Sequence, residues 1–198
     1  MNVSRRHLPH FYVLGEPPFV TFRLHGSLPG GREFSRESMT SGKAFVCMDR
    51  LLDSQLAGPV YLRIPEVAQL VVDNVEQGAK TDYLLHAWVV MPNHVHLLIT
   101  PHSPVSKLLQ KLKGYTARGA NKLLGRAGVA FWQDESYDRL VRNTEEFRRI
   151  AKYIIENPVK ARLARSAEEY RWSSAWGGGL KPAAAKACPT SAPESLVV

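Results

Sequence analysis

Two apolar runs, Tyr83 to Met91 and His94 to Thr100, are separated only by Pro92 and Asn93, and no other feature restricts the fold of this chain as tightly. Runs of this length, joined by a two-residue break of turn formers, read as an antiparallel hairpin. In the second run successive side chains alternate, so Val95, Leu97 and Ile99 face one way and His94 and His96 the other. At a rise of about 3.3 Å per residue the two imidazoles stand about 7 Å apart at the backbone, a spacing that suits two cis ligands on one metal ion. The bland alternative is a pair of polar residues on the wet face of a hairpin. Against it stands the preceding Trp88-Val89-Val90-Met91, too apolar for an exposed strand. Two histidines also leave coordination positions open, which points to catalysis or substrate binding rather than to a closed structural site.

The segment Asn143 to Asn157 has the sequence of a helix: Asn143 can cap it, Glu146 falls at the capping-box position, and Pro158 is expected to end it. Phe147, Ile150, Ala151 and Ile154 form its apolar face at i, i+3, i+4 and i+7. At about 100° per residue, Tyr153 and Asn157 lie on one shoulder of that face, a turn apart. A tyrosine hydroxyl can attack a phosphodiester, but with an ordinary pKa of about 10 it needs a cation to polarise the phosphate. Asn157 can offer a neutral oxygen as a third ligand. Tyr115, within Lys-Gly-Tyr-Thr-Ala-Arg, is an equally plausible nucleophile on these grounds. Each residue singly also has a structural reading, Tyr153 as a boundary ring and Asn157 as a C-cap before proline.

Elsewhere Phe19 to Leu24 reads as a first strand, and residues 30 to 43 as a polar loop or peripheral insertion. Pro65 to Gln77 reads as a helix, and Lys107 to Leu124 as a basic amphipathic helix interrupted by Gly114 and Gly119. Strand, helix, hairpin, helix, helix in that order predicts an α+β sandwich, helices packed on an antiparallel sheet. After Trp176 the sequence turns to glycine, alanine and small polar residues, so residues 1–176 are expected to form one domain and 177–198 a disordered tail.

The net charge is +8, and Lys107 to Arg165 holds fourteen basic against six acidic residues, which accounts for all of that excess. A polyanionic partner is the reading this favours over a merely solvated basic surface. The 2 cysteines lie far apart in no metal-binding pattern, so neither a disulfide framework nor a cysteine zinc site is expected. With no export signal and no apolar stretch long enough to span a bilayer, a cytoplasmic setting and no membrane partner are expected.

Taken together, Trp88 to Leu98, Phe131-Trp132-Gln133, Tyr137 to Arg142, Tyr153 to Leu163 and Trp172-Ser173-Ser174 resemble the single-tyrosine HUH transposases of the IS200 type, specifically the REP-associated tyrosine transposases. The resemblance covers roughly residues 12 to 175. It implies a ferredoxin-like sheet, dependence on Mg²⁺ or Mn²⁺, and cleavage of single-stranded DNA at the foot of hairpins. Carried over, His94 and His96 hold the metal, Asn157 completes the ligand set, and Tyr153 forms a 5′-phosphotyrosine link as a free 3′-OH departs. It favours Tyr153 over Tyr115. It also makes the Lys107 to Leu124 helix a DNA-backbone binder through Lys111, Lys113, Arg118 and Lys122, with Arg142, Arg149 and Lys160 as further DNA contacts. Both a monomer and a homodimer are compatible with it. The stretch from about residue 26 to 64 is longer than a minimal member needs, so an added surface element is expected there.

Two other classes compete. A two-histidine hydrolase of small molecules would need a carboxylate beside the pair, and neither hairpin strand supplies one. A hairpin-DNA-binding protein that keeps the fold without moving DNA is compatible with every motif above.

Overall fold

The computed structural model describes residues 15–28, 41–54 and 58–178. The hairpin forms as its pattern requires: β2 (Tyr83–Val90) and β3 (His94–Pro101) pair antiparallel, with Val90 opposite Val95 and Val89 opposite His96. The Met91 N–H donates to the His94 carbonyl at 2.8 Å, and the carbonyls of Pro92 and Asn93 accept from Leu62 and Leu24. These bonds make a buried turn tolerable, because a backbone acceptor shut away from water is costly unless paired.

Strand β1 (Pro18–Arg23) pairs antiparallel with β3, setting Thr21 opposite His96 and Arg23 opposite His94, and with β4 (Tyr137–Leu140) on its other side. The order across the sheet is β2-β3-β1-β4. Helices α1 (Ser41–Ser54) and α2 (Pro65–Gly78) lie between β1 and β2, α3 (Val105–Leu123) between β3 and β4, and α4 (Thr144–Lys160) follows β4. This is the expected ferredoxin-like α+β arrangement.

Strand alternation divides the core in two. Val20, Phe22, Val95, Leu97 and Ile99 face α2 and α3, meeting Val67, Val71, Val75, Leu108, Leu109 and Leu112. Phe19, Ala87, Val89 and Leu98 face the opposite way and meet Phe45 of α1 and Ile154 of α4. The histidine face of β3 therefore lies under α1 and α4. Gly119 does not interrupt α3; a Cβ there would stand 2.6 Å from Cδ2 of Leu70 on α2, so the glycine lets the two helices approach. The outer edge of β2 is covered by the segment after α4, where the Val90 N–H donates to the Trp172 carbonyl at 2.8 Å and Ser174 N–H to the Trp88 carbonyl at 2.9 Å. Covering an edge strand removes a template for pairing with other chains.

Two further expectations are corrected. Pro158 does not end α4, which runs on to Lys160 with the proline inside it. Proline excludes only one amide from the ladder, and the carbonyls of Asn157 and Pro158 still accept from the N–H groups of Ala161 and Leu163. The loop expected over 30–43 gives way at Ser41 to α1, whose stripe of Phe45, Asp49 and Leu52 packs inward. Residues 29–40, like those of the expected tail from 179 on, fall outside the described residues. Among the described residues no helix is long and apolar enough to cross a membrane.

Candidate metal and nucleophile site

His94 and His96 are both fully buried. Each ring is fixed through its Nδ1. Asn93 Oδ1 lies 2.7 Å from His94 Nδ1, while the Asn93 amide nitrogen donates to the Leu52 carbonyl at 2.9 Å, which sets the orientation of the amide. His94 therefore carries its proton on Nδ1 and turns the lone pair of Nε2 inward. Thr21, opposite His96 in the register, places its hydroxyl 2.7 Å from His96 Nδ1; a hydroxyl can donate or accept, so it supports either tautomer. The two Nε2 atoms then face each other at 3.1 Å.

Helix α1 brings a third donor that sequence reasoning missed. An Asp49 carboxylate oxygen lies 3.1 Å from His96 Nε2 and 3.7 Å from His94 Nε2, with its side chain only 4% exposed. Asp53, one turn on, lies 3.8 Å from His94 Nε2. Fourth, the Asn157 side chain is buried on α4, and neither its oxygen nor its nitrogen makes a hydrogen bond of ordinary geometry. Oδ1 of Asp49 and of Asp53 are likewise without hydrogen-bond partners. Buried polar atoms are seldom left so. Convergent, unpaired lone pairs of this kind fit a divalent cation: with bonds of about 2.1 Å, cis octahedral ligands stand about 3.0 Å apart. Asp49, His94 and His96 present ligand atoms within 4.8 Å of one another.

The electrostatics agree. Burial, reinforced by the neighbouring His96, pushes the His94 imidazole down to about 3, so it stays neutral and free to ligate. Burial alone would raise the Asp49 carboxyl, but the facing His96, together with His94 and Asn157, outweighs it and holds Asp49 below its ordinary value. Burial and the charge of Asp49 push Asp53 up to about 7. The His94 and Asp53 shifts act oppositely on stability. Below an ordinary imidazole pKa of about 6.5 the unfolded chain protonates His94 and the folded chain does not, so that contribution is lost as pH falls toward about 3. Asp53 takes its proton in the folded state first, so its contribution is present at low pH and lost as pH rises through about 7. In chelator, the melting temperature of the wild type should therefore change little between about pH 6.5 and 4. Asp53→Asn should melt progressively lower across that range; a melting temperature as flat as the wild type's would refute the His94 shift.

Tyr153 meets this cluster from α4. Its ring lies edge-on to His96, with centroids 5.7 Å apart, and to Phe19 at 6.2 Å. Lys160 Nζ stands 5.2 Å from the ring centroid. Asn143 Oδ1 accepts from the Glu146 N–H at 2.8 Å, and the Glu146 carboxylate accepts from the Arg142 N–H at 3.0 Å, which anchors the helix start. Two surface grooves meet at Tyr153. One is lined by Asp49, Arg50, Asp53, Lys160 and Arg162; the other by Phe45, Tyr137, Arg139 and Arg149. Among their basic residues Arg50, Arg139 and Arg162 were not singled out from sequence.

The structure thus brings together His94, His96 and Tyr153, with Asn157 beside Asp49 and with Arg149 and Lys160 beside Tyr153. Tyr115 is exposed on α3, across the sheet from the histidines. Lys111, Lys113, Arg118 and Lys122 share that far layer. Lys111 pairs with Asp82 at 2.7 Å, and Lys113 donates to the carbonyls of Gln133 and Asp134. Arg142 precedes α4 and is exposed. Asp49 also supplies the carboxylate whose absence from the hairpin strands counted against a small-molecule hydrolase. A signal for it existed in sequence: Phe45, Asp49 and Leu52 recur at helical spacing, with a carboxylate inside the apolar stripe.

Residues 66–157 match the model of the family described as "Transposase IS200 like". Among curated proteins, none matches the sequence. The fold is similar to that of a REP-associated tyrosine transposase solved bound to a REP hairpin, with a TM-score of 0.53 and 20% identity over 100% of both chains. A candidate transposase from Deinococcus radiodurans R1 matches with a TM-score of 0.36 and 16% identity, over 76% of this chain and 96% of that one.

Proposed function

Taking residues 66–157 as an IS200-like transposase segment, we propose that this protein is a Mg²⁺- or Mn²⁺-dependent endonuclease and strand transferase acting on single-stranded DNA at hairpins, with Tyr153 as nucleophile. The observation that carries the reading is the contact of the Tyr153 ring with His96 at 5.7 Å, at a pocket of buried, unpaired donor atoms. His94, His96 and Asn157 would hold the cation. When bound it supplies Lewis-acid stabilisation of the charge that builds on the scissile phosphate.

The chain's own residues do the rest. Asn93 and Thr21 hold the imidazoles in their orientations, as outer partners of ligating histidines commonly do. Packing against Phe19 and His96 holds the Tyr153 ring on a rigid helix, which limits the freedom lost on the way to attack. The tyrosine oxygen forms a bond to phosphorus as the bond from phosphorus to the 3′ oxygen breaks. The tyrosine hydroxyl gives up its proton, and the departing 3′ oxygen takes one up. The 5′ phosphate then stays on the protein, and the free 3′-OH can reverse the step without an external energy source. Arg149 and Lys160, beside Tyr153, serve the phosphates around the scissile bond, with Arg142 further along the strand. The exposed Arg118 and Lys122, with Lys111 and Lys113, serve a hairpin stem reaching the other layer. The REP hairpin on the structural neighbour supports a hairpin as substrate class.

Incubation of a hairpin with a single-stranded flank and Mn²⁺ should give a slowly migrating adduct in denaturing gels. A label at the 3′ end of the DNA should enter the adduct, while a label at the 5′ end should leave on a fragment ending in 3′-OH. Adduct formation should stop in EDTA. An adduct carrying the 5′ label, or one formed equally well in chelator, would contradict the proposal.

A further inference from the structure

We infer that Asp49, carried on helix α1, is a further ligand of the cation held by His94, His96 and Asn157, so that binding the metal and docking α1 on the catalytic face are one linked event. The inference rests on the proposed function but reaches past its ligand set, which draws only on the hairpin and α4.

Three observations point to it. First, Oδ1 of Asp49 is buried and faces the two imidazoles, 3.1 Å from His96 Nε2 and 3.7 Å from His94 Nε2. Shutting a carboxylate away from water is expensive unless a positive charge meets it. Oδ1 of Asp49 and the two Nε2 atoms converge on one point, with ligand atoms of all three residues within 4.8 Å of one another, and a divalent cation held there would meet the carboxylate.

Second, Asp49 sits in the middle of the stripe by which α1 is attached. Phe45 stacks on Tyr137, with centroids 4.4 Å apart, and meets Phe19 edge-on at 5.2 Å, and Leu52 is fully buried two turns away. Release of α1 would therefore pull the carboxylate out of the pocket.

Third, the Leu52 carbonyl accepts the bond that orients the Asn93 amide, and the Asn93 oxygen in turn fixes the His94 proton on Nδ1. Docked α1 thus also keeps the His94 lone pair turned toward the cation. Linkage makes the coupling reciprocal: a ligand that binds only the docked arrangement stabilises it in proportion to its affinity. The groove lined by Asp49, Asp53, Tyr153 and Lys160 stays open beside the docked helix.

The test uses the full chain and Mn²⁺. Calorimetric titration should show Asp49→Asn binding Mn²⁺ at least about tenfold more weakly than wild type, with His96→Asn as the reference for loss of the pocket itself. In wild type, hydrogen exchange of the α1 backbone should slow when Mn²⁺ is added, and in Asp49→Asn that slowing should vanish. Wild-type affinity in Asp49→Asn, alongside weak binding in His96→Asn, would reduce Asp49 to a bystander and overturn the inference alone. No slowing of α1 exchange in the unaltered protein would overturn it without recourse to a variant. Wild-type affinity in both variants would remove the metal pocket, and with it the proposed function.

Discussion

Tyr153→Phe is expected to abolish the covalent protein–DNA adduct while leaving Mn²⁺ affinity and hairpin binding near wild type. Only the hydroxyl is lost, so the ring contacts with His96, Phe19 and Phe45 and the Lys160 cation over its face are retained. The fold should not register the change. Chemistry should, because removing a nucleophile in an enzyme with a covalent intermediate lowers turnover by about 10⁴-fold or more. Tyr115→Phe is the paired measurement. Tyr115 is exposed on α3, in the layer that packs on the opposite face of the sheet from the histidines. Its loss should leave adduct yield unchanged. An adduct that survives Tyr153→Phe, or one that disappears with Tyr115→Phe, would reassign the nucleophile.

The second large effect is expected from the histidines. His96→Asn removes a ring whose Nε2 lies 3.1 Å from both the His94 Nε2 and an Asp49 oxygen, and a shorter amide cannot reach the same point from the strand. Mn²⁺ affinity should fall by about 100-fold or more, since even outer partners of metal ligands cost about 10- to 100-fold when changed. Adduct formation should fall with it. Because His96 is also packed against Phe19, with centroids 5.5 Å apart, some loss of stability is expected, of about 1 to 3 kcal/mol. Melting in chelator separates the two effects: it reads the packing loss in both proteins without metal, while titration reads the ligand. Should His96→Asn bind Mn²⁺ like wild type and still form adduct, these histidines would be core residues and nothing more.

Both effects concern residues that local periodicity had already paired. The strand repeat of two sets His94 and His96 on one face, and the helix repeat of 3.6 sets Tyr153 and Asn157 on one shoulder, whatever else the chain does. The resemblance to IS200-type transposases, confirmed across residues 66–157, joined the two pairs into one site. Where sequence reading failed, a non-local term had decided. Gly119 sits inside α3 because α2 has to come close there.

The sequence by itself determined the hairpin, the facing of its histidines, the start of α4 with its tyrosine and asparagine, and the α+β class, since each follows from neighbours within a few residues. Only the tertiary structure decided which layer each helix takes. That choice puts Tyr153 on the histidine side of the sheet and Tyr115 on the other, and it delivers Asp49 to a pocket built mostly from residues far along the chain. The physical reason is that a side chain's direction about its own strand or helix is a local property, whereas the face of the sheet against which a helix packs depends on how all the apolar stripes are buried together.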